Sequence, residues 1–392
     1  MPIGSWRHSH DDQYMQRISK PLYLSNTPIL GGTARILQYW LQLSQREGQS
    51  GHVVVREGSD FIRWSREHHV SVLVDSMPIP NRLRPWESLC HARRVARWSK
   101  RQNVDVIHCN EHDIYPFVFV LKRFLKLPTV CHVRYKIERG FAEWAFGGSR
   151  GPDALLWTSY QQKADSADAI AGIIPEERQH VVRLGVDLET FGSDIASGRQ
   201  LRQQWQIADD EIVIGIPSPL RPRKRIEDFV TAFASVAARH AKVVGLIAGG
   251  EIEGDEPYRK QIEAQIAQTG LGRRLRWVGF LEPIEPFHHA CDISVSTSEY
   301  ETFGNSVCEA MACGKPVVGY AGGSVAEVIG DTGIVVATGD VDALTNGLFR
   351  LVGDANLRLA FGNAARKRVE HEFNPKASLT RVHEIYQSIT GL

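Results

Sequence analysis

Residues 292–320 read DISVSTSEYETFGNSVCEAMACGKPVVGY and contain one complete strand–helix–strand pattern. The short apolar run at residues 293–298 is typical of a buried strand. A turn at Gly304 follows, and then a segment with helical spacing that Gly314 closes and Pro316 prevents from continuing. The run VVGY begins the next strand. This order predicts two parallel strands joined by a crossover helix.

The same pattern repeats along the chain in two series. The first includes PLYLSN, HVVV, VSVLV, VDVIHCN and PTVCHV, and the second opens at IVIGIPS and continues through VVGLIAGG and RLRWVGF. We therefore expect an α/β fold of two tandem Rossmann-like, doubly wound domains that face each other across a cleft. The predicted domains are residues 1–195 and 196–374, with a last helix, 375–392, packing back on the first domain.

Composition, charge and cysteine spacing indicate the broad class of protein to which the chain belongs. The chain has 392 residues, a net charge of +1, 43% hydrophobic and 23% charged residues, which favours an ordinary two-domain globular protein over a nucleic-acid binder. The six cysteines are widely spaced without a C-x-x-C pair, which predicts reduced thiols and no zinc site. The N-terminus carries no signal-peptide pattern, and the apolar run YPFVFVLKRFL is too short to span a bilayer. We expect a cytoplasmic protein.

Two carboxylates flank the predicted helix start in the opening stretch. In one interpretation Ser306 and Glu309 form a capping box, and Glu309 folds back to the Ser306 N–H. That interpretation leaves Glu301 and Gly304 unexplained. In the other, free N–H groups at Gly304 and Asn305 bind an anionic group, while the two carboxylates accept hydrogen bonds from sugar hydroxyls.

Residues that follow strands in the first series are further candidates. Gly31 and Gly32 would let backbone N–H groups approach a phosphate or sugar, although such a pair is also common in a plain tight turn. His108 and His132 each end a strand and are either structural or functional. Arg134 follows two residues later and competes with His132 for the same role.

A basic turn follows the first strand of the second series. Arg221, Arg223, Lys224 and Arg225 bring four cations into five positions. Cations just past a strand end suit a phosphate, because charge-assisted hydrogen bonds to phosphate are strong. A solvated basic turn is the alternative for each residue taken alone.

The stretch EYETFGNSVCEAMACGKPVV closely resembles the E-x7-E segment of the family-four retaining glycosyltransferases, which have the GT-B fold. The resemblance extends from about residue 22 to the C-terminus. It includes the glycine loop, DVIHCN, PTVCH, VVRLGVDLETF, KRIEDFVTAF and GGSVAEVIGDTGIVV with Glu327, all in family order.

The resemblance implies a transferase that moves a sugar from a nucleotide-diphosphate sugar, the co-substrate, with retention and with neither a metal nor another cofactor. The donor would bind the C-terminal domain and a carbohydrate, lipid-linked or small-molecule acceptor the N-terminal domain. Glu309 would hold the ribose, Glu301 the donor sugar and Lys224 the diphosphate. The catalytic residues expected are His132, Lys224 and Glu301. The expected substrate-binding residues are Gly31, Gly32, Arg134, Arg221, Arg223, Val278, Gly279, Phe303, Gly304, Asn305, Ser306 and Glu309.

Two positions depart from the family pattern. The family usually has an arginine five residues before the lysine, where this chain has Pro219, so Arg221 or Arg223 would substitute or the leaving group would be less stabilised. The glycine that usually follows the lysine is Arg225 here.

The acceptor is less defined by the sequence. A basic helix near residues 93–101, with Trp86 and Trp98 interleaved, would suit peripheral contact with the inner face of a membrane, or would be an ordinary solvated helix face. Such contact would fit an acceptor used in glycan, polysaccharide or glycolipid assembly. A sugar-nucleotide epimerase of the same architecture and a non-catalytic sugar-nucleotide sensor are the alternatives. No nucleic-acid partner is expected.

Overall fold

The computed structural model describes residues 19–27, 32–192, 195–250 and 254–391. Within them the chain forms two parallel sheets, each covered by helices. The first has the strand order β3-β2-β1-β4-β5-β6-β7 and the second β10-β9-β8-β11-β12-β13, numbered in chain order. The predicted fold class, two Rossmann-like doubly wound domains, is confirmed.

The elements of the first sheet and its helices come from residues 21–181. They are β1 (Pro21–Ser25), α1 (Gly32–Arg46), β2 (His52–Val55), α2 (Phe61–Glu67), β3 (Ser71–Val74), α3 (Pro85–Arg101), β4 (Val106–Cys109), α4 (Tyr115–Leu121), β5 (Thr129–Val133), α5 (Arg139–Phe146), β6 (Ala154–Trp157), α6 (Tyr160–Asp165), α7 (Ala167–Ile170) and β7 (Gln179–Val181).

The second series occupies residues 195–390. Its elements are α8 (Ile195–Gln204), β8 (Ile212–Pro217), α9 (Ile226–Arg239), β9 (Val243–Ala248), α10 (Glu256–Gln268), β10 (Leu275–Gly279), α11 (Glu285–Ala290), β11 (Ile293–Ser296), α12 (Asn305–Ala312), β12 (Val317–Tyr320), α13 (Val325–Ile329), β13 (Ile334–Val336), α14 (Val341–Gly353), α15 (Ala355–Glu372) and α16 (Pro375–Thr390).

Each sheet has one point at which the strand order reverses. It lies between β1 and β4 in the first sheet and between β8 and β11 in the second, and both pairs are parallel. In open α/β sheets, ligands bind outside the carboxyl ends of the strands at such a point. The loops after these four strands therefore position the site.

The last helix packs against the first domain. Trp40 of α1 donates a hydrogen bond from Nε1 to Ser378 Oγ of α16 at 3.1 Å, and Tyr386 of α16 lies 2.5 Å from His108 Nδ1 on β4. Trp40 and Tyr386 are both fully buried. This packing joins α16 to the first domain.

The exact domain boundary at residue 195 stays a prediction, since it falls between β7 and β8 beside residues outside the described ranges.

Across the described residues, no helix combines the length and apolar character needed to cross a membrane.

Candidate active site

A cavity of about 580 Å³ lies between the two domains, where the carboxyl ends of both sheets meet. Its N-terminal-domain wall includes Gly32, Thr33, Arg35, Arg134, Thr158 and Leu184. Its C-terminal-domain wall includes Pro217, Ser218, Pro219, Lys224, Ala248, Gly249, Gly250, Phe280, Leu281, Ile284, residues 301–306 and Glu309. Of the predicted site residues, the structure thus brings Gly32, Arg134, Lys224, Glu301, Phe303, Gly304, Asn305, Ser306 and Glu309 to one cavity.

Lys224 and Glu301 form an ion pair on the C-terminal wall. Lys224 follows β8 and Glu301 follows β11, so the reversal of strand order brings together two residues 77 positions apart. Lys224 Nζ and Ser298 Oγ both donate to Glu301 Oε1, the latter over 2.7 Å. Thr297 Oγ1 donates to the Lys224 carbonyl at 2.7 Å and fixes its backbone.

The ion pair decides the charge state of Glu301. Burial acts to raise the pKa of this carboxyl, but the Lys224 ammonium and the hydrogen bonds from Lys224 and Ser298 outweigh burial, and the pKa is lowered. Glu301 is therefore an ionised acceptor at neutral pH, and Lys224 a buried cation beside the cavity.

Helix α12 begins at the cavity as predicted, with Gly304 as its N-cap at φ 94° and ψ 55°. This left-handed conformation suits glycine and explains why a glycine stands there. Glu309 does not form the alternative capping box. Its oxygens lie 3.7 Å from Arg35 Nη1 and 3.4 Å from His288 Nε2, and among the described residues it accepts no hydrogen bond from the Ser306 N–H. The Glu309 carboxylate is available to a ligand.

Gly32 marks where the N-terminal domain meets α12. A Cβ added to Gly32 would stand 1.9 Å from Asn305 Nδ2. Only a glycine therefore allows the starts of α1 and α12 to approach this closely. Gly31, the other predicted glycine, lies outside the described residues.

Arg134 lies on the N-terminal wall and is held rigidly. Its Nε and Nη2 donate to the carbonyl and side-chain oxygens of Asn110 at 2.9 and 2.7 Å, and it is 3% exposed. Burial lowers the pKa of Arg134 to about 10, with the nearby Glu111 carboxylate opposing the shift, so the side chain is a cation at neutral pH.

His132 does not line the cavity in the described structure. It is fully buried in a histidine pair, with Nδ1 2.9 Å from His108 Nε2, and it packs on the Trp40 ring. Burial and the charge of Arg134 lower its pKa well below the ordinary value, so it is neutral. Its expected contact with the donor sugar stays a prediction, and Arg134 is the one of the two that reaches the cavity.

The other cations of the basic turn point elsewhere. Arg221 Nε bonds Asp255 at 3.0 Å, and Arg223 Nη1 donates to the Tyr300 carbonyl at 3.5 Å while its charge helps to lower the pKa of Glu301. Neither lines the cavity, and substitution of either for an arginine at position 219 stays a prediction. Arg225 adopts φ 47° and ψ 50°, the left-handed conformation that a glycine would take without strain.

Two expected substrate-binding residues, Val278 and Gly279, lie just outside this cavity, and their role in binding stays a prediction. Phe280 and Leu281 line the cavity, because the chain turns at Gly279 with φ 80°. The N–H of Gly249 donates to the Gly279 carbonyl at 2.8 Å and consumes that backbone oxygen. The lining therefore begins just after the end of β10.

Sequence reasoning missed a polar network behind the N-terminal wall. Glu111 accepts hydrogen bonds from Ser25 Oγ, Asn26 N, Thr27 Oγ1 and Asn110 Nδ2 at 2.7–3.0 Å. Burial raises the pKa of Glu111, partly offset by the N–H of Asn26 and the charge of Arg134. This carboxylate anchors the loop after β1. Its position directly after VDVIHCN, at a strand end, was the available signal.

The two domains are also joined on one side of the cavity. The Thr302 carbonyl accepts hydrogen bonds from Thr158 Oγ1 at 2.7 Å, Ser159 Oγ at 3.0 Å and Ser324 Oγ at 2.8 Å. Glu327 accepts from the backbone N–H of Gln161, at the start of α6, at 2.9 Å. These contacts form an interdomain junction next to Glu301.

Within the described ranges, no group of three or more His, Cys, Asp or Glu side chains is placed to hold a metal ion.

Two family descriptions match the chain in succession. Residues 31–190 match "Glycosyl transferase 4-like domain" and residues 198–368 match "Glycosyl transferases group 1". Among curated proteins, N-acetyl-alpha-D-glucosaminyl L-malate synthase of Bacillus anthracis is 25% identical over 323 residues, 78% of this chain and 80% of that protein. D-inositol 3-phosphate glycosyltransferase of Corynebacterium jeikeium is 30% identical over 271 residues, 62% of this chain and 63% of that protein.

Solved structures share the whole architecture. Anabaena HepE, solved with UDP and glucose, has a TM-score of 0.83 over 94% of this chain and all of that chain, with 23% identity. A glycosyltransferase from Rickettsia africae has the same TM-score over 95% of this chain and 98% of that chain, with 19% identity. At these identities the likeness shows the fold.

Proposed function

The chain belongs to the family-four-like glycosyltransferases with the GT-B fold, and we propose that it transfers the sugar of a nucleotide-diphosphate sugar to an acceptor hydroxyl with retention and without a metal. Its relatives include an N-acetyl-alpha-D-glucosaminyl L-malate synthase, a lipopolysaccharide core mannosyltransferase and a phosphatidylinositol monomannoside mannosyltransferase, which supports glycosyl transfer here, including transfer in glycan or glycolipid biosynthesis. HepE was solved with UDP-glucose, which supports a nucleotide-sugar donor here.

One observation carries the donor assignment. Helices α1 and α12 both begin at the interdomain cavity, and Gly32 at the start of one packs on Asn305 at the start of the other. Free N–H groups and the helix dipoles place partial positive charge at both starts, which favours a diphosphate. Lys224 adds a full positive charge on the same wall. Glu309, one turn further along α12, is placed for ribose hydroxyls.

The carboxylates of the cavity support retention by front-face attack. Among the described lining residues they are Glu301 and Glu309; the first is paired with Lys224 and the second lies between Arg35 and His288. Neither is a free nucleophile. The acceptor oxygen would bond to the anomeric carbon on the face from which the diphosphate oxygen departs. The acceptor proton would pass to that departing phosphate oxygen.

The same geometry supports metal independence as part of the proposal. Charge on the departing diphosphate would be balanced by Lys224 and by the two helix starts, which are oriented before the reaction begins. Activity that persists in EDTA and does not rise with added Mg²⁺ or Mn²⁺ would agree. Activity that requires the metal would refute this part of the proposal.

The decisive experiment identifies the donor and the product. A thermal-shift screen with UDP-, GDP- and ADP-sugars would select the donor, because a ligand of the folded state raises its melting temperature. NMR of the product then reads the anomeric configuration. An inverted product would contradict retention. An epimerised sugar formed from the donor alone would indicate an epimerase, and binding without turnover would indicate a sensor.

Membrane contact is a separate part of the proposal. Helix α3 exposes Arg93, Arg94, Arg97, Lys100 and Arg101, and Trp86 at its start is 58% exposed. A basic face with an exposed aromatic residue suits an anionic lipid surface. Co-sedimentation with phosphatidylglycerol vesicles at low salt, and its loss with phosphatidylcholine alone, is the expected result. Equal recovery of the protein in the supernatants of the two kinds of vesicle would exclude this contact.

A further inference from the structure

The proposed donor site needs more positive charge than its C-terminal wall supplies. Lys224 is already paired with Glu301, Arg221 bonds Asp255, and Arg223, which bonds the Tyr300 carbonyl, does not line the cavity. A departing nucleoside diphosphate gains negative charge on its oxygens, so a second cation would accelerate its release. Pro219, on the same wall, has no charge to offer.

The N-terminal wall holds two cations among the described lining residues, Arg35 and Arg134. Arg134 is held in place, because Asn110 accepts hydrogen bonds from two of its three nitrogens and the third, Nη1, is buried without a hydrogen-bond partner among the described residues. Arg35 is different, since its side chain is 32% exposed. It contacts Glu282, which is more than half exposed, at 2.9 Å and Glu309 at 3.7 Å. Exposed pairs of this kind contribute little and exchange readily.

Position also selects Arg35. It lies in the first turn of α1, three residues after Gly32, and its guanidinium lies beside Glu309 in the first turns of α12. The contacts Gly32–Asn305 and Arg35–Glu309 thus align the two helix starts side by side. A ribose bound by Glu309 would displace the guanidinium from that carboxylate. The nearest new anion would be the diphosphate attached to the same ribose.

Resting on the proposed function, we propose that Arg35 is the second cation of the diphosphate site, supplied by the N-terminal domain. In the ligand-free protein its guanidinium is paired with Glu309 and Glu282. When the donor binds, its guanidinium donates hydrogen bonds to non-bridging diphosphate oxygens opposite Lys224. The C-terminal domain then needs no arginine at position 219.

The test compares Arg35→Met with Arg46→Met, an exposed arginine of the same helix. Binding is measured for the nucleoside and the nucleoside diphosphate of the base that the donor screen selects. We expect Arg35→Met to weaken the diphosphate about tenfold, to leave the nucleoside within twofold, and to lower kcat about 10- to 100-fold. Arg46→Met should match the wild type in all three.

Other outcomes overturn the assignment. If Arg35 only competes with the ribose, Arg35→Met will tighten nucleoside and diphosphate alike. Unchanged diphosphate affinity and kcat in Arg35→Met would also refute it, while a wild type without donor binding would instead refute the proposed function. If Arg35→Met fails to fold, Arg35→Gln gives the same comparison.

A rescue experiment sharpens the result. Pro219→Arg would place a cation on the opposite wall of the same cavity. In the Arg35→Met background it should recover at least tenfold in kcat, because charge at the diphosphate matters more than the domain that supplies it. If a folded double variant still binds the nucleoside but does not recover kcat, Arg35 acts in another way.

Discussion

The two walls of the cavity are built differently. The C-terminal wall takes its principal groups from two short segments, the turn at Lys224 and the stretch from Glu301 to Glu309. Its buried cation is paired with a carboxylate. The N-terminal wall gathers residues from the start of α1 and from beyond the ends of β5, β6 and β7, and its buried cation, Arg134, is held by neutral groups. One wall is a compact ligand-binding motif, and the other is a dispersed scaffold that positions it.

The largest expected loss of activity comes from removing the cation of the C-terminal wall. Lys224→Ala should lower kcat about 10²- to 10³-fold, because it removes the cation nearest the departing diphosphate. It would also leave Glu301 buried and unpaired, which lowers stability. The double variant Lys224→Ala/Glu301→Gln should therefore regain melting temperature without regaining kcat. Steady-state kinetics and thermal melts, with the exposed Lys260→Ala as control, check both parts. Near-normal turnover in Lys224→Ala would contradict the mechanism.

The next effect is on stability and tests the N-terminal wall. Burial lowers the pKa of His108 and His132 well below the ordinary 6.5, and that of His112 to about 4. Below pH 6.5 the unfolded chain binds protons that the folded chain does not, so stability falls as pH falls. Three such groups predict a loss of roughly 3 kcal/mol between pH 6.5 and 5.5.

Chemical denaturation at several pH values measures this loss. His112→Asn should reduce the acid-dependent part by about a third, whereas His69→Asn, at an exposed site, should not. A free energy of unfolding that stays constant down to pH 5.5 would show that these histidines protonate without unfolding.

A smaller effect breaks the contact between the walls. Gly32→Ala should lower kcat/KM about 10- to 50-fold, because the new methyl group overlaps the Asn305 amide and holds the two helix starts apart. Asn305→Ala in the same chain removes the obstacle and should restore most of the loss, as interacting neighbours do in a double-mutant cycle. Gly140→Ala, where a Cβ meets nothing within 4 Å, is the control. Failure of the second substitution to rescue would point to backbone strain instead.

The smallest expected effect sharpens the ribose assignment. Glu309→Gln should raise the donor KM about tenfold with kcat within twofold, because hydrogen bonds to a charged acceptor exceed those to a neutral one. Glu384→Gln, at an exposed position on α16, provides the comparison. Wild-type donor KM in Glu309→Gln would place the ribose elsewhere.

The contrast between the walls explains what the sequence could predict. The alternation of apolar strands and helices specified both sheets, because each unit is encoded by neighbouring residues. The helix start at Gly304 was likewise predictable from a local pattern. Lys224 pairs with Glu301 across 77 residues of sequence. It was predictable as a cation after a strand, and the family resemblance placed Lys224 and Glu301 in one site.

Other features depend on long-range packing that no local pattern records. Arg35 reads as an ordinary helical cation until α1 is placed beside α12. His132 was predicted as a donor contact because it lies at a strand end. In the structure, Tyr386 of α16 covers the neighbouring His108, a packing that the sequence around His132 does not record. The cavity lining begins at Phe280 rather than at Val278 because of one turn at Gly279.

The Thr302 carbonyl, which accepts hydroxyl hydrogen bonds from both domains, has a consequence for motion. Because these bonds hold both domains at one point, we expect the cleft to open by rotation about that point rather than by separation of the halves. Glu301, its neighbour in the chain, sits near the axis and would travel least. Groups farther from that point would separate first, so we expect the ribose end of the product nucleotide to be released before its diphosphate end.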